Sequence, residues 1–444
     1  MVESTLRNVV FVSLSFWFVW SAFLSQSQIE EDAINLYAKN GNINKHAGYT
    51  SLAICFATET IFDPLTAPLV NKLTAKWTMI IGAITSAIFT SCFFYMNEYI
   101  LYIASALFGF GSAALWVGQG NYLTLNSNDK TAAKHSAIFF ASYKSGMILA
   151  GILLLVVTKI SNNKEGLSLE NIKILYGIFT ILALIGGILF AFLPAPPKCD
   201  KKEEEDEKSV IEMLRSTLNV FCTKEMILIC IAAAYIGIQW SFWMSVYPTC
   251  VAFTSILSTE EEKPTMLAIC VICNGIGQTC TALVTIYMSM KYPKIKPKFY
   301  ITFALIVQLI MYALIALMFP KEASLDKTSN EGFIEPITLL IYIIPLFLGI
   351  GAVLWKSQMY TLVIKKLPDK SAEAFALFNF FESLTCSITF FYSSVLNLYW
   401  QIGILVATSS IGLLSVFLVD RDIKKKNQIF PNSFRRQSNM NDYN

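Results

Sequence analysis

The sequence predicts an all-α membrane protein of twelve transmembrane helices, arranged as two related six-helix halves. Three observations predict it: an apolar composition, a succession of apolar runs long enough to span a bilayer, and short phrases that recur six runs apart. The 444 residues are 55% hydrophobic and only 15% charged, where a soluble domain carries about a quarter charged residues. Apolar runs of about 18 or more residues are read as spans, because about 20 helical residues cross the hydrocarbon core.

The runs fall at about 6–25, 48–70, 77–96, 98–123, 136–158, 173–193, 225–248, 264–290, 299–319, 336–360, 372–396 and 399–419. The first follows M-V-E-S-T-L-R with no small-residue cleavage site, so it reads as a retained span. The longest charged interruption, P194-A-P-P-K-C-D-K-K-E-E-E-D-E-K208, separates six spans from six. Pro-rich and then charge-dense, it cannot bury apolar surface and reads as a mobile linker. The expected organisation is a half at 1–193, a cytoplasmic linker at 194–224, a half at 225–419 and a cytoplasmic tail at 420–444. With both ends cytoplasmic, inner segments hold about 24 Lys and Arg and outer ones about 8, the expected sign for that orientation.

Two lysines, Lys144 and Lys356, fall inside spans. The repeat is carried by four matches in the same order. W20-S-A-F-L-S25 pairs with W240-S-F-W-M-S245, and L52-A-I-C55 with L267-A-I-C270. Leu115-Trp116 and Gln119 pair with Leu354-Trp355 and Gln358, and D129-K-T-A132 with D369-K-S-A372. Each match joins one span to the span six further on and keeps its orientation. The repeat is therefore parallel, with its axis along the membrane normal, the relation between the halves of a major facilitator transporter. That fold encloses a midplane cavity, opened to alternate sides by rocking of the halves.

Polar groups inside the spans are the candidate functional residues, because an ionisable group in a membrane is expensive. Glu59 lies near the centre of span two with Asp63 one turn on, on the same face. The aligned positions in span eight are Asn274 and Gln278. Glu382 in span eleven aligns with Ser142 in span five, two residues before Lys144. Either these groups take up a proton or cation, with Lys144 as counter-charge or anion ligand, or they lock the halves together. Gln119 and Gln358 suit an interhelical clasp or a cavity lining. The paired glycines Gly109, Gly111, Gly349 and Gly351 suit close helix packing. Lys356 is expected to snorkel, about 6 Å from the inner end of span ten.

No enzyme is indicated: there is no phosphate loop, nucleophile elbow or HExxH, and His46 and His135 stand apart in or beside loops. No metal, cofactor or nucleic acid is expected. Most of the ten cysteines lie in apolar runs, where Cys acts as a small hydrophobe. Cys270-x-x-Cys273 has metal spacing without a second ligand pair. No external loop carries an Asn-x-Ser/Thr acceptor.

G109-F-G111-S-A-A-L-W-V-G-Q-G-N-Y-L-T124, with N126-S and the D129-K loop, resembles the signature of the Unc ninety-three-like family. This is a divergent branch of the major facilitator superfamily, and its founding members are called ion-channel regulatory proteins. The resemblance implies twelve helices, a transporter fold, and roles in channel regulation or receptor trafficking. The superfamily's inner gate loop runs roughly G-x-L-A-D-R-x-G-R-K. Here it is A67-P-L-V-N-K-L-T-A-K76, with Asn71 for the acid and Lys72 and Lys76 as basic positions. A lost acid weakens the charge latch of the gate.

Two readings stand. One is a transporter of a small solute, coupled to protons through Glu59, Asp63 or Glu382, its cavity also lined by Gln119 and Gln239. The other is a regulatory subunit that binds an ion channel or membrane-protein client. In the tail, Lys424-Lys-Lys426 and R435-R-Q-S438 read as a stop-transfer cluster or as a contact for anionic lipid.

Overall fold

Helices make up nearly all of the chain that the structure, a computed structural model, describes: residues 2–39, 43, 47–161, 169–197, 210–257, 259 and 262–429. In order they are α1 (Val2–Lys39), α2 (Ala47–Ser91), α3 (Glu98–Leu125), α4 (Ala132–Ser161), α5 (Leu169–Ala191), α6 (Val210–Phe221), α7 (Lys224–Ser241), α8 (Tyr247–Phe253), α9 (Lys263–Lys291), α10 (Pro297–Met318), α11 (Thr338–Lys366), α12 (Ser371–Ser393) and α13 (Leu398–Ile429). His46 and the R435-R-Q-S438 motif lie outside the described residues, as does the charged run 198–209.

Eleven described segments are long and apolar enough to cross a membrane. One of them, α2, has 45 residues, about 67 Å of helix at 1.5 Å per residue, against a hydrocarbon core of about 30 Å. It therefore holds two crossings. Its first part runs alongside α3 in the same direction, with Ser51 Oγ 2.9 Å from Ser105 Oγ and Cys55 and Glu59 packed on Gly109. Its second part runs opposite to α3, with Thr85 on Gly111 and Thr78 on Gly118. The chain reverses at Thr74, which has φ 77 and ψ 156. Twelve crossings follow, and an even number returns both chain ends to one face, here called the terminal face.

The chain has the major facilitator fold of two six-helix halves. The halves meet along two seams. Span five (α4) packs on span eight (α9), and span two on span eleven (α12). Glycines set the first seam: Gly151 lies against Ile272 and the Ala268 carbonyl, and Gly275 against Ile148. Within each half the paired glycines make equivalent contacts. Gly109 abuts span two and Gly349 span eight at Asn274, while Gly111 abuts Thr85 of span three and Gly351 Gln308 of span nine. A side chain at any of these would meet its neighbour, so small residues permit the close approach that packs helices in lipid.

The range read as a linker contains a twelve-residue helix, α6. It packs against both α2 and α12, so it touches the two halves at once. Its Ser216 Oγ donates to Glu373 Oε1 at 3.1 Å and accepts from Lys370 Nζ at 3.1 Å. At its end, Phe221 stacks on Phe381. On the opposite face of the protein, Ser255 N donates to Thr328 O and Thr328 N to Phe253 O, tying the end of span seven to the loop after span nine.

Candidate functional site

A cavity lies between the halves, with about 90 Å³ of space reachable by the centre of a water molecule. Spans one, two, four and five of the first half contribute Trp20, Phe23, Phe56, Glu59, Ser112, Trp116, Tyr143 and Lys144. The second half contributes Gln239, Trp240 and Trp243 from span seven, Asn274 and Gln278 from span eight, Lys356 from span ten, and Asn379, Glu382 and Ser383 from span eleven. Span seven is distorted just where it borders this space. Phe242–Val246 form a π-helical turn, a deviation that often accompanies functional sites. The wider turn carries Phe242 and Trp243 to the wall of the cavity.

Two lysines and two glutamates line this space. Lys356 Nζ is 2.6 Å from Glu382 Oε1, within the second half, and lies 4.4 Å from the centroid of the Trp116 ring in the first. Glu59 Oε1 accepts from Ser112 Oγ at 3.0 Å. Lys144 is 4% exposed, with its Nζ 4.5 Å from the Tyr143 ring centroid and 4.8 Å from that of Trp240. Its partners among the described residues are these rings, not a carboxylate. Asp63 sits deeper in the seam, fully buried, and its Oδ2 accepts from Ser383 Oγ at 2.8 Å across the two halves.

The neutral pair aligned with Glu59 and Asp63 is also engaged. Asn274 Nδ2 donates to the Pro345 carbonyl at 2.9 Å, and Gln278 Nε2 to Asn274 Oδ1. Pro345 lies inside α11, and a proline cannot donate to the carbonyl four residues back. That carbonyl, Ile341 O, takes the Tyr247 hydroxyl at 2.7 Å instead.

Two expectations are corrected. Lys356 does not snorkel: α11 runs on to Lys366, ten residues past it, about 15 Å of helix. The end of the span is marked by Lys365 and Lys366, and Lys356 turns inward to Glu382. Gln119 and Gln358, for their part, do not line the cavity. They are 0% and 1% exposed, no hydrogen bond joins them, and neither polar atom of the Gln119 amide nor the Nε2 of Gln358 has a partner among the described residues.

Both glutamines follow the cavity residues of their spans toward the terminal face, where the halves close on each other. Tyr360 packs its ring against Phe140 of span five and Phe375 of span eleven. Gly120 abuts the Phe375 ring, and Ser371 Oγ lies 2.6 Å from Asn121 Oδ1. The gate-loop positions lie on that same face. Lys76 Nζ donates to the Leu193 carbonyl at 3.4 Å, Lys72 is exposed and Asn71 half-buried.

The aromatic walls were not foreseen. Trp20, Trp116 and Trp240 were visible as repeat markers, but a repeat does not say which markers face the cavity. The matched tryptophans have in fact parted company. Trp116 lines the cavity, whereas Trp355 is fully buried and donates its Nε1–H to Gln308 Oε1 at 2.9 Å.

A family model described as "Ion channel regulatory protein UNC-93" matches residues 39–417. The chain belongs to the UNC-93 family. It is 26% identical over 442 residues to the UNC93-like protein MFSD11 of Xenopus tropicalis, covering 95% of this chain and 98% of that one. It is 22% identical to human unc-93 homolog A, over 97% and 96% of the two chains, and 21% identical to UNC93-like protein 3 of Arabidopsis thaliana, over 98% and 88%. Among solved structures, the major facilitator transporter FucP in its outward conformation superposes with a TM-score of 0.66 at 13% identity, covering 93% of this chain and 98% of that one. At that identity the likeness bears on the fold.

Proposed function

We propose that this family member is a secondary transporter of a small solute, with the midplane cavity as its binding site and buried carboxyls as its proton-coupling groups. The observation that carries the proposal is the gathering of Glu59, Lys144, Lys356 and Glu382 around one space between the halves. Charged groups are costly there, and packing alone has no need of four of them. Asp63, bonded across the seam to Ser383, joins the charge state of one half to the position of the other. The terminal face is closed by aromatic packing, and the Lys and Arg bias supports assigning that face to the cytoplasm. The solute then enters from the opposite side in this conformation.

The test is uptake by the purified chain in vesicles under an imposed pH gradient, screened over organic solutes. Glu59→Gln, which keeps the Ser112 hydrogen bond within reach, should abolish the pH dependence. Proton-driven uptake that survives this substitution unchanged overturns the role of Glu59, and no flux of any solute overturns transport.

A second reading, a transporter-derived regulator of an ion channel or other membrane client, is favoured by the family's description. The altered gate loop, with Asn71 for an acid and a strained Thr74, supports it too. That reading expects cavity variants to leave client binding intact.

A further inference from the structure

We propose that Lys144 is the anchor of a site for a small aromatic or apolar carboxylate, which names the substrate class of the cavity and rests on the transporter reading for its physiological meaning. A lysine head buried away from water is costly unless a counter-charge meets it. Here two rings face it, and a cation–π contact is worth about 0.5–2 kcal/mol, less than a charged hydrogen bond in a dry site supplies. The charged groups whose fields reach Lys144 are Lys356 and Glu382, and these are already joined to each other at 2.6 Å. Glu59 is turned to Ser112. Lys144 is thus the cation of this cavity that no carboxylate among the described residues neutralises.

Two further donors point the same way. Trp20 and Asn379 both line the cavity and are more than nine-tenths buried, and their donors, Nε1 and Nδ2, have no acceptor among the described residues. A ligand rich in acceptor oxygens satisfies such groups; one rich in donors leaves them orphaned at about 1–3 kcal/mol each. Two acceptors are also free, Gln278 Oε1 and Glu382 Oε2, so a hydroxyl on the ligand is accommodated. Beside Lys144 an ammonium is disfavoured, because the lysine repels it and the nearby Glu382 is already held by Lys356. The walls fix the rest of the molecule: Trp20, Phe23, Trp116, Tyr143, Trp240 and Trp243 offer ring faces, which suit a planar or apolar body.

The test is binding, measured apart from flux, on the full chain in lipid nanodiscs at neutral pH. The probes are phenylacetate, phenylacetamide, phenethylamine and L-phenylalanine, read by quenching of intrinsic tryptophan fluorescence. Phenylacetate should quench saturably, with the amide, the amine and the zwitterion weaker by about tenfold or more, the loss of a charge partner in a buried site. Lys144→Gln should lower phenylacetate affinity by a similar factor, with Lys144→Arg restoring most of it.

The acid–amide comparison uses the unaltered chain, so it decides the matter even where a variant fails to fold. Equal binding of acid and amide, tighter binding of the amine, or no saturable quenching by phenylacetate overturns the assignment. Acid-selective binding without any uptake leaves the anion site standing and removes transport. Uptake of some other solute without acid-selective binding does the reverse.

Discussion

Lys356 of span ten and Glu382 of span eleven form an ion pair at 2.6 Å, with side chains only 12% and 15% exposed, in a wall otherwise rich in aromatic rings. Removing one member strands the other. Lys356→Met or Glu382→Gln should each destabilise the protein by about 2–4 kcal/mol, near the range for broken buried pairs. The double variant should recover most of the loss. Thermal unfolding of the four proteins in one detergent measures the cycle, and additive losses would show that the two groups act independently.

Gln119 buries an amide whose oxygen and nitrogen both lack partners, and a buried orphan polar group costs about 1–3 kcal/mol. Gln119→Leu should therefore raise the melting temperature while favouring the conformation closed at the terminal face. Cysteine pairs across Asn121 and Ser371, cross-linked with and without the leucine, report the closure. A lower melting temperature would mean that the amide is satisfied in the native membrane.

Thr74 occupies a backbone region, φ 77 and ψ 156, that is essentially reserved for glycine and costs about 1–3 kcal/mol. It stands at the second glycine of the superfamily's gate-loop pattern. Thr74→Gly should stabilise the protein by about 1 kcal/mol once glycine's own entropy cost is deducted. Thr74→Ala should gain nothing, since alanine keeps the Cβ. Denaturation midpoints of the two variants make the comparison.

Glu322, in the loop after span nine, accepts from Asn330 Nδ2 at 2.6 Å and from Thr328 Oγ1 at 3.3 Å. These hydrogen bonds, that of Asn330 first, hold its carboxyl below the usual range. A depressed carboxyl stabilises the fold above its unfolded pKa and loses that contribution as pH falls through the folded value. The protection factors of the Thr328 and Asn330 amides, exchange corrected for its intrinsic pH dependence, should therefore fall on acidification below the ordinary carboxylate range. Those protection factors should be flat in that range for Glu322→Gln.

The twelve crossings were legible because apolar runs of span length seldom occur outside a bilayer, and the halves because Trp20 and Trp240, or Cys55 and Cys270, recur in one order. What escaped was orientation about each helix axis. Span four is buried on nearly every face, from Gly109 to Thr124, so no polar–apolar contrast told Ser112 and Trp116, which face the cavity, from Gln119, which does not. Lys356 was misplaced because span ten was ended at about 360, whereas M359-Y-T-L-V-I364 carries the helix on to Lys365 and Lys366. The helix α6 had its signal: Met213, Thr217 and Val220, all buried, recur at helical spacing. The acidic run before it, Glu203 to Glu207, masked that pattern.

That short helix has a mechanical consequence. Because α6 grips α2 on one side and the start of α12 on the other, the halves cannot swing apart at the terminal face without stretching or shedding it. The connector thus straddles the two halves beside the bilayer core, away from the midplane cavity. On the proposed transport reading, anything that pried Ser216 away from Glu373 and Lys370 would ease that swing.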